Sequence, residues 1–159
     1  HPAGGTWGGH LVRVFQALRP GSPIQVLGAP LPDFPDLLPM EDPRRGPAVA
    51  LCVWARQSAP PVRAWLLLPC DQVAWTPATL GAWLKQAEAE DPEGRAWVMA
   101  TVEGRDQYLG SLLGASLRSR LASLEAPSLA ACAEVLPVLR LETEGPGWRD
   151  VDEAEDEPL

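Results

Sequence analysis

Two stretches of this chain are apolar at almost every position. Ala48–Ala55 reads Ala-Val-Ala-Leu-Cys-Val-Trp-Ala, and Val62–Leu68 is broken only by Arg63. Read as strands, each places apolar side chains on both parities: Val49, Leu51 and Val53 against Ala50, Cys52 and Trp54 in the first, and Ala64, Leu66 and Leu68 against Trp65 and Leu67 in the second. A strand apolar on both faces is buried on both, so the sheet must be covered above and below. The short connection Arg56–Pro61 predicts an antiparallel hairpin between the two runs. Thr76 as N-cap and Pro77 at the first helical position open a helix over Pro77–Glu90, with Leu80, Trp83, Leu84 and Ala87 as its buried stripe. Asp91-Pro92-Glu93-Gly94 has the residue order of a type I turn and leads to a third strand, Ala96–Val102. Strand, helix and strand in this order predict a crossover to a parallel neighbour. The expected fold is α/β, with a mixed sheet of about four to five strands, a hairpin plus a βαβ crossover, and helices on both faces.

The flanking segments are read around that centre. His1–Gly9 is Gly-rich and loose, with Trp7 as its anchor, and Leu11, Val14, Phe15 and Leu18 mark one face of a helix over His10–Arg19 that Pro20 stops. Ile24–Leu27 suits a short edge strand. Ala29–Pro47 holds Pro30, Pro32, Pro35, Pro39, Pro43 and Pro47, a spacing incompatible with helix or central strand, so it is read as an extended connector. Leu109, Leu113, Leu117, Leu121 and Leu124 recur at helical intervals and predict a helix over Asp106–Glu125, with something packed close to Gly110 and Gly114. Pro127-Ser128 opens another helix ended by Pro137, and Val138–Leu141 is a last strand. Residues 1–141 are thus expected as one globular domain, followed by an acidic tail over 142–159.

Charge divides the chain the same way. Eight acids against the single Arg149 put seven of the eight net negative charges in residues 142–159, leaving a nearly neutral body. That balance is a poor match to phosphate backbones and argues against direct nucleic-acid binding. The apolar runs are far shorter than the roughly 20 residues of a membrane span. Cys52, Cys70 and Cys132 form no C-x-x-C pair, and His1 and His10 are the only histidines, so no disulfide framework, metal centre or cofactor motif is expected. No signal-peptide pattern is visible, and the odd cysteine count without a C-x-x-C makes a reducing cytoplasm the expected compartment.

Among the candidates for chemistry, Cys70-Asp71 stands just past the second apolar run, where α/β folds place their ligands. An acid after an apolar strand suits a magnesium-holding carboxylate, although no G-x-x-x-x-G-K-[ST] precedes it. The plainer reading makes Cys70 a filler and Asp71 a turn acceptor. Trp54, Trp65, Trp75, Trp83 and Trp97 are read as core, with Trp75 the most exposed of them. The tip Asp156-Glu157-Pro158-Leu159 resembles the acidic tip of bacterial single-stranded-DNA-binding proteins, although it ends in Leu where they end in Phe. The resemblance implies a bait for a basic pocket on a partner protein. The function expected on this basis is a non-enzymatic interaction module: an adaptor, assembly factor or specific chaperone that binds protein partners through Asp156, Glu157, Pro158 and Leu159, with Phe34 and Leu37 of the connector, and with a homodimer left open. The alternative is a small enzyme or ligand-binding domain whose site is Cys70 and Asp71.

Overall fold

A computed structural model of the chain describes residues 5–40, 42–57, 59–72, 74–144 and 148; the acidic tip 156–159 lies outside them. The elements run α1 (Trp7–Leu18), β1 (Val26–Leu27), β2 (Pro39–Met40), α2 (Pro47–Arg56), β3 (Ala64–Leu67), α3 (Pro77–Glu90), β4 (Trp97–Val102), β5 (Arg105–Gly114), a 3-10 turn (Ala115–Leu117), α4 (Arg118–Ser123), α5 (Leu129–Val135) and β6 (Val138–Glu142). The fold is α/β with a mixed four-stranded sheet in the order β3-β5-β4-β6 and a separate parallel pair, β1-β2. Strands β3, β4 and β6 point one way, and β5 runs against its neighbours β3 and β4. No helix among the described residues is long and apolar enough to cross a membrane.

Three elements follow their sequence signals closely. Helix α3 begins at Pro77 under a Thr76–Thr79 capping box, and α5 starts under Ser128, whose hydroxyl accepts the Ala131 N–H. The turn into β4 is held by buried Asp91, which accepts the Arg95 and Ala96 N–H groups at 2.9 and 2.8 Å.

Two expectations are corrected. Ala48–Ala55 is not a strand but most of α2, so the predicted hairpin does not exist. Gly46, at φ 91°, turns the chain into Pro47 at the head of the helix. The helix is apolar nearly all round because it is covered nearly all round, with Ala48, Leu51, Cys52, Trp54 and Ala55 in one core. An unbroken apolar run has no periodicity to tell a buried strand from a buried helix.

The helix expected over Asp106–Glu125 is instead β5 followed by a 3-10 turn and the six-residue α4. Glu103 and Gly104, at φ 51° and 75°, form the two-residue loop of a β4–β5 hairpin, which places Val102 opposite Arg105. The register slips between Val98 and Ala100, and Gly110, at φ 74°, lies in the matching stretch of β5. At Gly114 a Cβ would come within 2.5 Å of the Gly94 carbonyl, so a close backbone neighbour does explain that glycine.

The sheet divides the core in two. Trp97, Met99 and Leu113 pack with α2, α4 and α5, whereas Val98, Ala100 and Leu112 pack with α1 and α3. Trp97 is fully buried, and its indole N–H donates to Ser111 Oγ at 2.7 Å, whose hydroxyl in turn donates to the Tyr108 carbonyl. Trp54, Trp75 and Trp83 are also buried, while Trp65 is half-buried and meets Trp54 edge-on. Trp75 is only 2 % exposed, against the expectation for it, because Trp148 covers it edge-on and Gln72 accepts from its indole N–H.

Candidate active site

In a sheet of this kind ligands sit beyond the carboxyl ends of the parallel strands. Strand β3 ends at Leu67 and delivers Pro69, Cys70, Asp71 and Gln72 into the loop before α3. Cys70 and Asp71 are exposed, and Gln72 is buried under Trp75 and against Gly110, where a Cβ would come within 2.6 Å of the Gln72 Oε1. The buried amide anchors the loop, leaving the two residues before it at the surface.

The first turn of α1 packs onto the same loop. A Cβ on Gly8 would lie 3.8 Å from the Cys70 Sγ and 2.7 Å from Leu31, and His10 Nε2 lies 3.0 Å from the Trp75 carbonyl oxygen. Thr6 caps this helix, its hydroxyl accepting the Gly9 N–H at 3.0 Å. From the Pro-rich connector, Asp33 accepts the Thr6 N–H at 2.8 Å and the Arg13 guanidinium at 3.2 Å. The Thr6 N–H first, with Arg13 adding to it, holds the Asp33 carboxyl below its usual range against a desolvation cost.

The predicted residues separate. Cys70 and Asp71 sit together at the end of β3. Phe34 lies with its ring 5.5 Å from the Arg13 guanidinium, and both it and Leu37 are half-buried in the connector. Burial, and then the charge of Asp71, push the Cys70 thiol up, which sets it against the thiolate a nucleophile requires. Buried Cys132 is raised further, to about 11, by burial and by neighbouring Cys52. Thr6, Gly8, Gly9, Arg13, Asp33 and Gln72 were not singled out from the sequence. The signal for the first three was present, because paired glycines around a Thr directly before an apolar-periodic run mark a capped helix start, not a loose end.

The family model of the MobA-like NTP transferase domain matches residues 3–137. Among solved structures the chain is similar to the crystal structure of Rv0371c from Mycobacterium tuberculosis H37Rv, with 19% identity, a TM-score of 0.60, and coverage of 87% of this chain and 74% of that one; at this identity the likeness concerns the fold. No curated protein matches. The family match overturns the expectation of a non-enzymatic adaptor, assembly factor or chaperone, and favours the alternative of a small enzyme. The match spans nearly the whole described fold, from ahead of α1 to the residue before β6, and the chain belongs to the family of MobA-like NTP transferase domains.

Proposed function

We propose that the chain binds a nucleoside triphosphate at the carboxyl end of β3 and transfers its nucleotidyl group to an acceptor oxygen. The observation that carries this reading is Asp71, an exposed carboxylate just past the carboxyl end of β3 and next in the chain to Cys70, which lies against Gly8 in the first turn of α1. Backbone N–H groups at a helix start favour anions, and here the Asp33 carboxylate takes that place on the Thr6 N–H, so a phosphate would have to displace it or bind beside it. In such a transfer the acceptor oxygen bonds to the α-phosphorus while the bond from that phosphorus to the bridging oxygen breaks, and pyrophosphate carries the charge away.

Triphosphates react as magnesium complexes. Among the described residues no three His, Cys, Asp or Glu side chains gather into a metal shell. A lone exposed carboxylate fits a magnesium ion that takes its remaining ligands from phosphate oxygens and water, and Asp71 is the residue that would hold it. The bound cation would supply neutralisation of charge on the phosphates. The buried Gln72 amide and the Trp75 indole fix the loop that presents Asp71.

Calorimetric titration with ATP, GTP, CTP and UTP, each with magnesium, tests the reading. At least one should bind saturably, and Asp71→Asn should weaken it by a factor of about ten or more, the loss of roughly 1.4 kcal/mol expected when a charged ligand group is neutralised. The thermal midpoint should hardly move, because Asp71 is exposed. If none of the four binds, or if Asp71→Asn binds as tightly as the parent chain, the reading is wrong.

A further inference from the structure

The Pro-rich connector is clipped to the start of α1 by three residues in a row of four. Leu31 packs on Gly8, where a Cβ would come within 2.7 Å of the leucine side chain. Phe34 lays its ring 5.5 Å from the Arg13 guanidinium. Between them Asp33 Oδ2 accepts the Thr6 N–H at 2.8 Å, the Thr6 hydroxyl at 3.3 Å and the Arg13 guanidinium at 3.2 Å. Two glycines make room for that oxygen: a Cβ on Gly5 would stand 2.5 Å from it, and one on Gly9 would overlap it.

Helix capping does not account for this arrangement. Thr6 is already the N-cap, with its own hydroxyl on the Gly9 N–H, so the helix end is served without a carboxylate from 27 residues away. What Asp33 fills is a seat for an anionic oxygen. A backbone N–H at a helix start, a hydroxyl and a guanidinium converge on one point, which is the donor set a phosphate oxygen takes. The same turn of α1 carries Gly8 against Cys70, the neighbour of Asp71. A polyphosphate reaching from Asp71 to the helix start therefore meets a carboxylate of its own sign on the donors it needs.

We propose, building on the nucleotide reading, that Asp33 is a built-in competitor: it occupies a phosphate's place on α1 and leaves that place when the polyphosphate binds. The contact is suited to exchange. Its arginine side chain is 52% exposed, and an ion pair open to water holds weakly. A phosphate brings more charge and more acceptor oxygens to the same three donors than a carboxylate does. The backbone bonds of the segment itself, Phe34 N–H to the Leu31 carbonyl and Leu37 N–H to the Phe34 carbonyl, are local, so they travel with it when Asp33 lets go. Nucleotide affinity is then lowered by the share of molecules in which Asp33 holds the seat, and it rises when that share falls.

Calorimetric titration of the full chain with inorganic pyrophosphate, without magnesium, reads the helix start alone, because the Asp71 carboxylate offers a bare anion nothing to hold. Asp33→Asn keeps the size of the side chain and an acceptor for the Thr6 N–H, but drops the competing charge. It should bind pyrophosphate at least ten-fold more tightly than the parent chain, and Arg13→Ala added to it should cancel the gain. Asp36→Asn removes the same charge from an exposed position on the same segment and should stay within about two-fold of the parent. An equal gain from Asp36→Asn would overturn the proposal by reducing the effect to net charge. So would an unchanged or weaker affinity of Asp33→Asn, or no binding of pyrophosphate to any of these chains. The nucleotide reading fails by a different sign: Asp71→Asn, placed in the Asp33→Asn chain, would leave the binding of magnesium nucleotides unchanged whatever pyrophosphate does.

Discussion

The two edges of the four-stranded sheet are built on opposite principles. At β6 three of the five residues are exposed, and Arg140 reaches across the sheet to Asp106 of β5, its Nε and terminal nitrogen each 2.9 Å from Oδ2. Thr101 of β4 adds its hydroxyl to the same carboxylate, and Thr143 donates its N–H to the Thr101 carbonyl. At β3 no residue of Ala64–Leu67 is charged, all four are half-exposed, and the edge opens into an apolar slot. A charge that must be desolvated to pair discourages an incoming strand, so β6 ends the sheet, whereas β3 has the character of an interior strand with one neighbour missing. The family match begins at residue 3, ahead of α1, so both edges lie among the elements the family shares or directly adjoin them.

That contrast can be broken or sharpened by substitution, and the fully enclosed centre sets the scale. Trp97→Ala removes a side chain with no exposure and leaves the Ser111 hydroxyl without its donor, so urea unfolding should show a loss of about 3–5 kcal/mol. A loss near 1 kcal/mol would mean that the centre of the sheet is not the core. Leu66→Ala, on the open edge, should cost only about 1–2 kcal/mol, below the range for an enclosed leucine, because roughly half of its transfer free energy is not realised in a half-exposed site. The smallest effect belongs to the guarded edge. Arg140→Ala removes an ion pair whose arginine is half-exposed, so stability should fall by less than about 1 kcal/mol, and less again in high salt. If Arg140→Ala cost more than Leu66→Ala, the contrast between the edges would be reversed.

Both corrections to the expected elements come from places where the sequence pattern and the burial pattern part company. Leu109, Leu113 and Leu117 keep a four-residue interval, yet β5 holds the first two and a 3-10 turn the third. The interval is equally compatible with a strand, because four is a multiple of the two-residue period and both leucines pack toward the same core. Glu103-Gly104 between Val102 and Arg105 was the stronger local signal, since a two-residue loop with positive φ at both positions commits the flanking residues to a hairpin.

What the sequence determined by itself is whatever a few adjacent residues can enforce. Thr76-Pro77 sets the start of α3 and Ser128 that of α5, because each cap satisfies backbone donors one turn away. The continuous apolar run Trp97–Ala100 makes β4 a central strand, buried on both faces. Tertiary structure alone decided that Ala48–Ala55 is a helix, because a segment buried on every side carries no periodic record of which side faces what. It alone brought α1 against Cys70 and the connector's Asp33 onto Thr6, contacts between residues 62 and 27 positions apart that no local pattern encodes. It also left β3 at an edge of the four-stranded sheet among the described residues, since an apolar run records that a strand is to be covered but not its place in the strand order.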